Sequence, residues 1–154
     1  GFLRQKDSEN NIILKKTDLD LSDVNAIKIN PEEGQNIVSG SHDEMMLALQ
    51  KKGIEYVLLT NKSDVSLLVK NRVYSLKLPN KNIHDTTGIG DIFCSAFTCT
   101  MLKEKDFLWA LCFAAGSAQA ALESNNVGLQ KIPKKGMVEN NASYFYNLVD
   151  FRDL

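Results

Sequence analysis

The sequence predicts an α/β fold in which helices cover both faces of a sheet. Three observations carry that expectation. Apolar runs at Val24 to Ile29 and Tyr56 to Thr60 are short and bounded by turn signals, as buried strands are. Two capping boxes, Asn30-Pro31-Glu32-Glu33 and Ser41-His42-Asp43-Glu44, open helices between those runs. The second half then carries three helical stretches, the first of which opens at a glycine-rich turn. A chain of 154 residues suits one domain with a sizeable core. Its 44% hydrophobic and 24% charged content is ordinary for a globular protein and argues against disorder.

The elements follow in order. Residues 1 to 10 are polar and give no clear signal. Asn11 to Lys16 holds Ile12, Ile13 and Leu14, a short strand. Asp18 to Asp23 reads as a turn of helix or a loop, and Val24 to Ile29 as a core strand. Asn30 suits an N-cap, Pro31 the first helical position and Glu33 the reciprocal capping position, so a short helix is expected to about Val38. Ser41 caps a second helix with Met45, Leu47, Ala48 and Leu49 inside it, ended by Gly53. After the strand Tyr56 to Thr60, Val65 to Lys70 and Val73 to Leu78 read as a hairpin turning at Asn71-Arg72, and Pro79 to Asn82 as a loop. Ile92 to Leu102 reads as a buried helix. Asp106 caps Phe107 to Leu122, apolar on nearly every side and so central. Ser124 to Gly128 is a loop, and Pro133 precedes a last amphipathic helix to about Val149.

Several function classes drop out. A net charge of −1 argues against nucleic acid as the main partner. No apolar run approaches membrane-spanning length, and no secretory signal pattern opens the chain. Cys94, Cys99 and Cys112 fall in apolar helical segments without a C-x-x-C pair. They read as buried reduced thiols of a cytoplasmic protein. His42 and His84 are too far apart in sequence to suggest zinc. There is no Walker-A motif, and Gly88-Ile89-Gly90 lacks the third glycine of a dinucleotide fold.

The stretch with chemistry in it is His84-Asp85-Thr86-Thr87-Gly88-Ile89-Gly90-Asp91-Ile92-Phe93. If a helix starts at its end, Gly88 to Asp91 lie where free backbone N–H groups and the positive end of the helix dipole gather. That is an anion site in outline. An aspartate inside it is electrostatically odd unless it takes a proton. Read without its neighbours, Asp91 is better taken as a helix-start charge and the glycines as turn residues.

The whole pattern Asp85 to Phe93 closely resembles the D-T-x-G-A-G-D-x-F signature of ribokinase-like, phosphofructokinase-B-type carbohydrate kinases. Ser95-Ala96 continues the match. Gly1-Phe2-Leu3-Arg4 is similar to the family's Q-G-x-L-R segment and Asn30-Pro31-Glu32-Glu33 to its N-x-x-E motif. Ala110 to Leu122, Gly128 and Pro133 resemble its C-terminal helix and closing loop. The resemblance spans nearly all 154 residues. It implies a three-layer α/β/α, ribokinase-like fold with a mostly parallel sheet and a C-terminal hairpin. It also implies that residues 1–154 are the C-terminal, nucleotide-binding portion of a longer protein. The substrate and lid portion is then expected to lie outside the chain, which leaves the fragment inactive alone and inclined to form a homodimer through uncovered apolar surface.

The activity so implied is ATP-dependent phosphoryl transfer to a hydroxyl of a sugar or nucleoside. Asp91 is the expected general base, and the amides of Gly88, Ile89, Gly90 and Asp91 the anion hole. Asn30 and Glu33 are implied to hold Mg²⁺ through water, although a capping box explains both residues as well. Asp85 and Thr87 match positions associated with a monovalent cation such as K⁺; loop-stabilising hydrogen bonds are the alternative. Thr60, Lys62 and Ser63 are candidate nucleotide contacts, and Ala115 falls where adenine contacts are often found. Two departures stand out. Lys62 and Val65 replace both glycines of the family's T-x-G-x-x-G, and Ile89 replaces a small residue. A nucleotide-binding regulatory protein of the same fold, with weak or no catalysis, is the alternative those departures motivate.

Overall fold

The computed structural model describes residues 4–14, 20–79 and 85–154. Strands β1 (Arg4–Lys6) and β2 (Ile12–Leu14) pair antiparallel, with Gln5 opposite Ile13. The sequence signals β2 but not the polar β1. What makes the hairpin is its turn. The Asp7 carboxylate accepts from the Glu9 and Asn11 amides at 2.9 and 2.8 Å, and Asn10 adopts φ 70°, which asparagine tolerates better than most residues.

The chain divides into two compact units, the first comprising Gly1–Asn61, Ser66–Val73 and Arg152–Leu154. In it, β3 (Ala26–Ile29) runs parallel to β4 (Tyr56–Thr60), with Ile29 opposite Leu59. A parallel pair needs a long crossover, supplied here by α1 (Pro31–Gln35) and α2 (His42–Lys51). Both expected capping boxes form. α1 ends at Gln35, short of Val38, and the Gly34 carbonyl accepts from both Ile37 and Val38 in the turn that follows. A Cβ on Gly34 would collide with the Met45 sulfur, so glycine is what lets α1 approach α2. Leu21, Ile29, Met45, Met46, Leu49, Ile54, Val57, Leu59, Leu68 and Val73 form the core of this unit.

Strands β5 (Asp64–Val69), β6 (Arg72–Lys77) and β7 (Asp150–Asp153) complete a sheet of order β3-β4-β5-β6-β7. The connections β4–β5 and β5–β6 are too short for a parallel crossover, so these pairs are antiparallel. The sheet is therefore mixed: β3 and β4 are a parallel pair, and β5 and β6 form the expected hairpin. Lys70 and Asn71 both take positive φ, 48° and 64°, as the tight hairpin turn requires. The turn thus lies one residue earlier than Asn71-Arg72, and Arg72 opens β6. β7 was not foreseen. All its residues are exposed, and it is tied instead by Arg72 Nε and Nη2 donating to Asp153 Oδ1 and Oδ2 at 2.6 and 3.3 Å.

The second unit holds Lys62–Val65 and Tyr74–Phe151. Its α4 (Phe107–Leu122) packs against both α3 (Ile89–Glu104) and α5 (Lys135–Tyr146). Asp106 caps α4, accepting from the Leu108 and Trp109 amides at 2.9 and 3.0 Å. From Ala114 to Ala121 every residue of α4 is buried, as a central helix should be. At Gly116 an added Cβ would come within 2.9 Å of the Val138 carbonyl, so its absence sets the close approach of α5.

α3 differs from the expected buried helix. It buries one stripe, Phe93, Phe97 and Thr100, while Leu102 is 76% exposed. Cys94 and Cys99 lie off that stripe and are exposed. Only Cys112 is buried, which corrects the reading of three buried thiols. Burial pushes the Cys112 thiol up to about 12. α5 stops at Tyr146 and buries Val138, Ala142 and Phe145. No helix among the described residues is long and apolar enough to cross a membrane. Expectations for residues 1–3, 15–19 and 80–84, His84 among them, lie outside the described residues.

Candidate active site

The expected helix start lies in the second unit. Gly88 is the N-cap of α3 at φ 78°, ψ −4°, a left-handed conformation that glycine alone adopts freely. Ile89, Gly90 and Asp91 are the first three helical residues. Asp91 is exposed in the first turn, where a carboxylate meets the positive end of the helix dipole. Two of the four amides are engaged: Ile89 donates to the Thr86 carbonyl at 3.2 Å and Asp91 to the Gly88 carbonyl at 3.1 Å. The Gly88 and Gly90 amides have no hydrogen-bond partner among the described residues. Ile89, the bulky departure, is half-buried.

The loop entering this turn is held by a residue that sequence reading missed. Lys131 ends a 3₁₀ turn, Gly128–Lys131, and its side chain is only 3% exposed. Its ammonium donates to the Asp85 carbonyl at 2.7 Å, the Asp85 Oδ2 at 3.0 Å and the Thr87 carbonyl at 3.3 Å. Asp85 Oδ1 accepts from the Thr87 amide at 2.8 Å. The Thr87 hydroxyl and amide, with the Lys131 ammonium, hold the Asp85 carboxyl down to about 2. Nothing in the sequence separates Lys131 from Lys134 and Lys135. The neighbouring Ile132 is 60% exposed, so burial here inverts hydropathy.

In the first unit the C-terminal ends of parallel β3 and β4 bring Asn30, Glu33 and Thr60 together. Asn30 Oδ1 accepts from the Glu33 amide at 2.7 Å, and Glu33 Oε2 accepts from the Asn30 amide at 3.1 Å. Lys28 Nζ lies 3.8 Å from the same Glu33 oxygen. The Thr60 hydroxyl donates to the Ile29 carbonyl, one residue before Asn30, at 3.4 Å. Lys62 and Ser63 are exposed in the second unit, where Ser63 donates its hydroxyl to Asp64 at 3.0 Å. Ala115 is fully buried in α4 and presents no open surface to a base.

The family model of the pfkB family carbohydrate kinases matches residues 4–135. The chain belongs to that family. Ribokinase from Thermotoga maritima is similar in structure (TM-score 0.68, 19% identity, covering 77% of this chain and 42% of that one). So is Arabidopsis thaliana ribokinase in complex with ribose and ATP (TM-score 0.66, 21% identity, covering 79% and 42%). A pyrophosphate-dependent kinase of the ribokinase family, complexed with a pyrophosphate analogue and myo-inositol, matches at TM-score 0.73 and 18% identity, covering 90% and 50%. These likenesses establish the ribokinase-like α/β fold. The chain spans about half the length of such structures. No curated protein matches it.

The family resemblance implies two cations, and the residues fit them differently. The described residues contain no cluster of three metal-ligating side chains. Asn30 and Glu33 nonetheless fit Mg²⁺ held through water, an ion that commonly takes one or two carboxylates and otherwise waters and substrate phosphates. Asp85 and Thr87 do not fit a monovalent cation in the same way, because the Lys131 ammonium already occupies their oxygens.

Proposed function

We propose that the full protein transfers the γ-phosphoryl group of ATP to a hydroxyl of a sugar or nucleoside, with Asp91 as general base. The observation that carries this is the start of α3. A positive-φ glycine N-cap, two amides without partners among the described residues and an exposed aspartate lie within one helical turn. Asp91 takes the proton as the hydroxyl oxygen forms its bond to the γ-phosphorus. The bond from that phosphorus to the bridging oxygen breaks, and ADP leaves. The amides of the turn hold the charge on the transferred group, a job for which one such donor is worth about 2.7–4 kcal/mol in other enzymes. Mg²⁺, when bound through Asn30 and Glu33, would neutralise phosphate charge. Thr60, Lys62 and Ser63 contact the nucleotide phosphates in this reading, Lys62 supplying charge where the family has backbone.

Lys62 and Val65, in place of two glycines, favour a second reading: a nucleotide-binding regulatory protein with weak catalysis. They also make the donor worth testing, since one structural relative is pyrophosphate-dependent. The test incubates the full-length protein with Mg²⁺, ATP or pyrophosphate, and a panel of sugars and nucleosides. Phosphate-ester products are read by ³¹P NMR and donor binding by calorimetry. A product with ATP is expected. Nucleotide binding with no product on any acceptor selects the regulatory reading, and product with pyrophosphate alone reassigns the donor. No affinity for either donor contradicts both readings.

A further inference from the structure

The Lys131 ammonium has three N–H donors, and the structure supplies three oxygens for them. A charge buried this far is tolerated only when so paired. Two of the three acceptors are backbone carbonyls, and that gives the contact a directional consequence. A peptide group is planar and trans, so its C=O and N–H point opposite ways. Holding the Thr87 carbonyl therefore turns the Gly88 N–H away from Lys131. That amide is one of the two at the start of α3 with no partner among the described residues. The ammonium also bridges the Asp85 carboxylate to both carbonyls, so charge and backbone are locked in one cluster.

We propose that Lys131 is a positioning residue for the Gly88 amide of the anion-holding turn, its ammonium serving as a tethered monovalent cation in the Asp85–Thr87 loop. This rests on the phosphotransferase reading. It replaces the soluble K⁺ that the sequence suggested at Asp85 and Thr87 with a group of the chain itself. An ammonium is a compact point charge, comparable in role to a small monovalent cation and unlike the broad fork of arginine.

The test is a cation series on full-length wild type and Lys131→Ala, in potassium, ammonium or choline salts at equal ionic strength. Phosphoryl transfer and thermal unfolding are both read. Wild type is expected to show the same kcat and the same Tm in all three salts. Lys131→Ala is expected to lose roughly 100-fold in kcat in choline, the scale of one missing anion-hole donor. Potassium or ammonium should restore part of that loss and raise the variant's Tm, whereas choline should do neither. A wild type that needs potassium overturns the proposal. So does a folded Lys131→Ala variant with normal kcat in choline, or one whose loss no small cation repairs, since the latter marks a packing role. The wild-type series needs no variant and decides the matter if Lys131→Ala does not fold. If wild type transfers no phosphoryl group, the phosphotransferase reading fails, while the Tm series still tests the tethered cation.

Discussion

Replacing Gly88 by alanine separates backbone conformation from space at the start of α3. An ideal Cβ at Gly88 meets no atom within 4 Å, so the substitution causes no collision. Its cost lies in the backbone, because φ is 78°. A left-handed conformation costs a residue with a Cβ about 1–2 kcal/mol. Restricting the unfolded chain returns about 0.4–1 kcal/mol, and the poorer capping of alanine takes back a few tenths or more. The net is a destabilisation of about 1 kcal/mol. Gly90 is the control: it is the second residue of α3 and is absent from the positive-φ positions. There an alanine carries no left-handed strain. Urea denaturation of the two full-length variants gives both values directly from the midpoint and slope. If Gly88→Ala escapes its strain by rotating the Thr87–Gly88 peptide, kcat falls by about 10²–10³, the scale of a lost anion-hole donor. Equal stability of Gly88→Ala and wild type would refute the conformational argument.

Asn30 serves as cap and proposed magnesium contact, and two substitutions separate the roles. Asn30→Ala should cost about 1 kcal/mol in urea denaturation, whereas Asn30→Ser, an equally good cap, should keep stability. The serine variant should still need more Mg²⁺ for half-maximal turnover; an unchanged requirement leaves Asn30 as a cap alone. Asp85 predicts an acid response. Its folded carboxyl lies at about 2, below the ordinary 3.8. Its contribution to stability is therefore complete above about pH 4 and lost as pH falls toward 2. Asp85→Asn should show a shallower loss of stability than wild type across that window, measured by thermal unfolding. Parallel curves would contradict the assignment.

How much of this was legible depended on whether local chemistry decided the outcome. Asn30 and Ser41 announced their helices because a capping box is a contact between residues three apart. The start of α3 was legible for the same reason: Gly88 must supply a positive φ next to a long apolar run. Long-range partners were not legible. β7 is a strand through its pairing with β6, with Arg72 bonded to Asp153 eighty-one residues away, and no apolar pattern marks it. β1 depends on a turn organised by Asp7 rather than on its own polar residues. Lys131 reaches Asp85 across forty-six residues from a cluster of similar lysines, and nothing local sets it apart from them. The cysteines failed differently. α3 is apolar around most of its circumference but buries one stripe, and Cys94 and Cys99 fall outside it.

The central claim is that Asp91 takes the acceptor's proton. The direct measurement is kcat of Asp91→Asn in the full-length protein, alongside its affinity for ATP and Mg²⁺ by calorimetry. The side chain keeps its shape and loses its basicity. The account predicts a kcat lowered by about 10²–10⁴, the usual contribution of a general base, with nucleotide affinity within a few-fold of wild type. A kcat near that of wild type would contradict it.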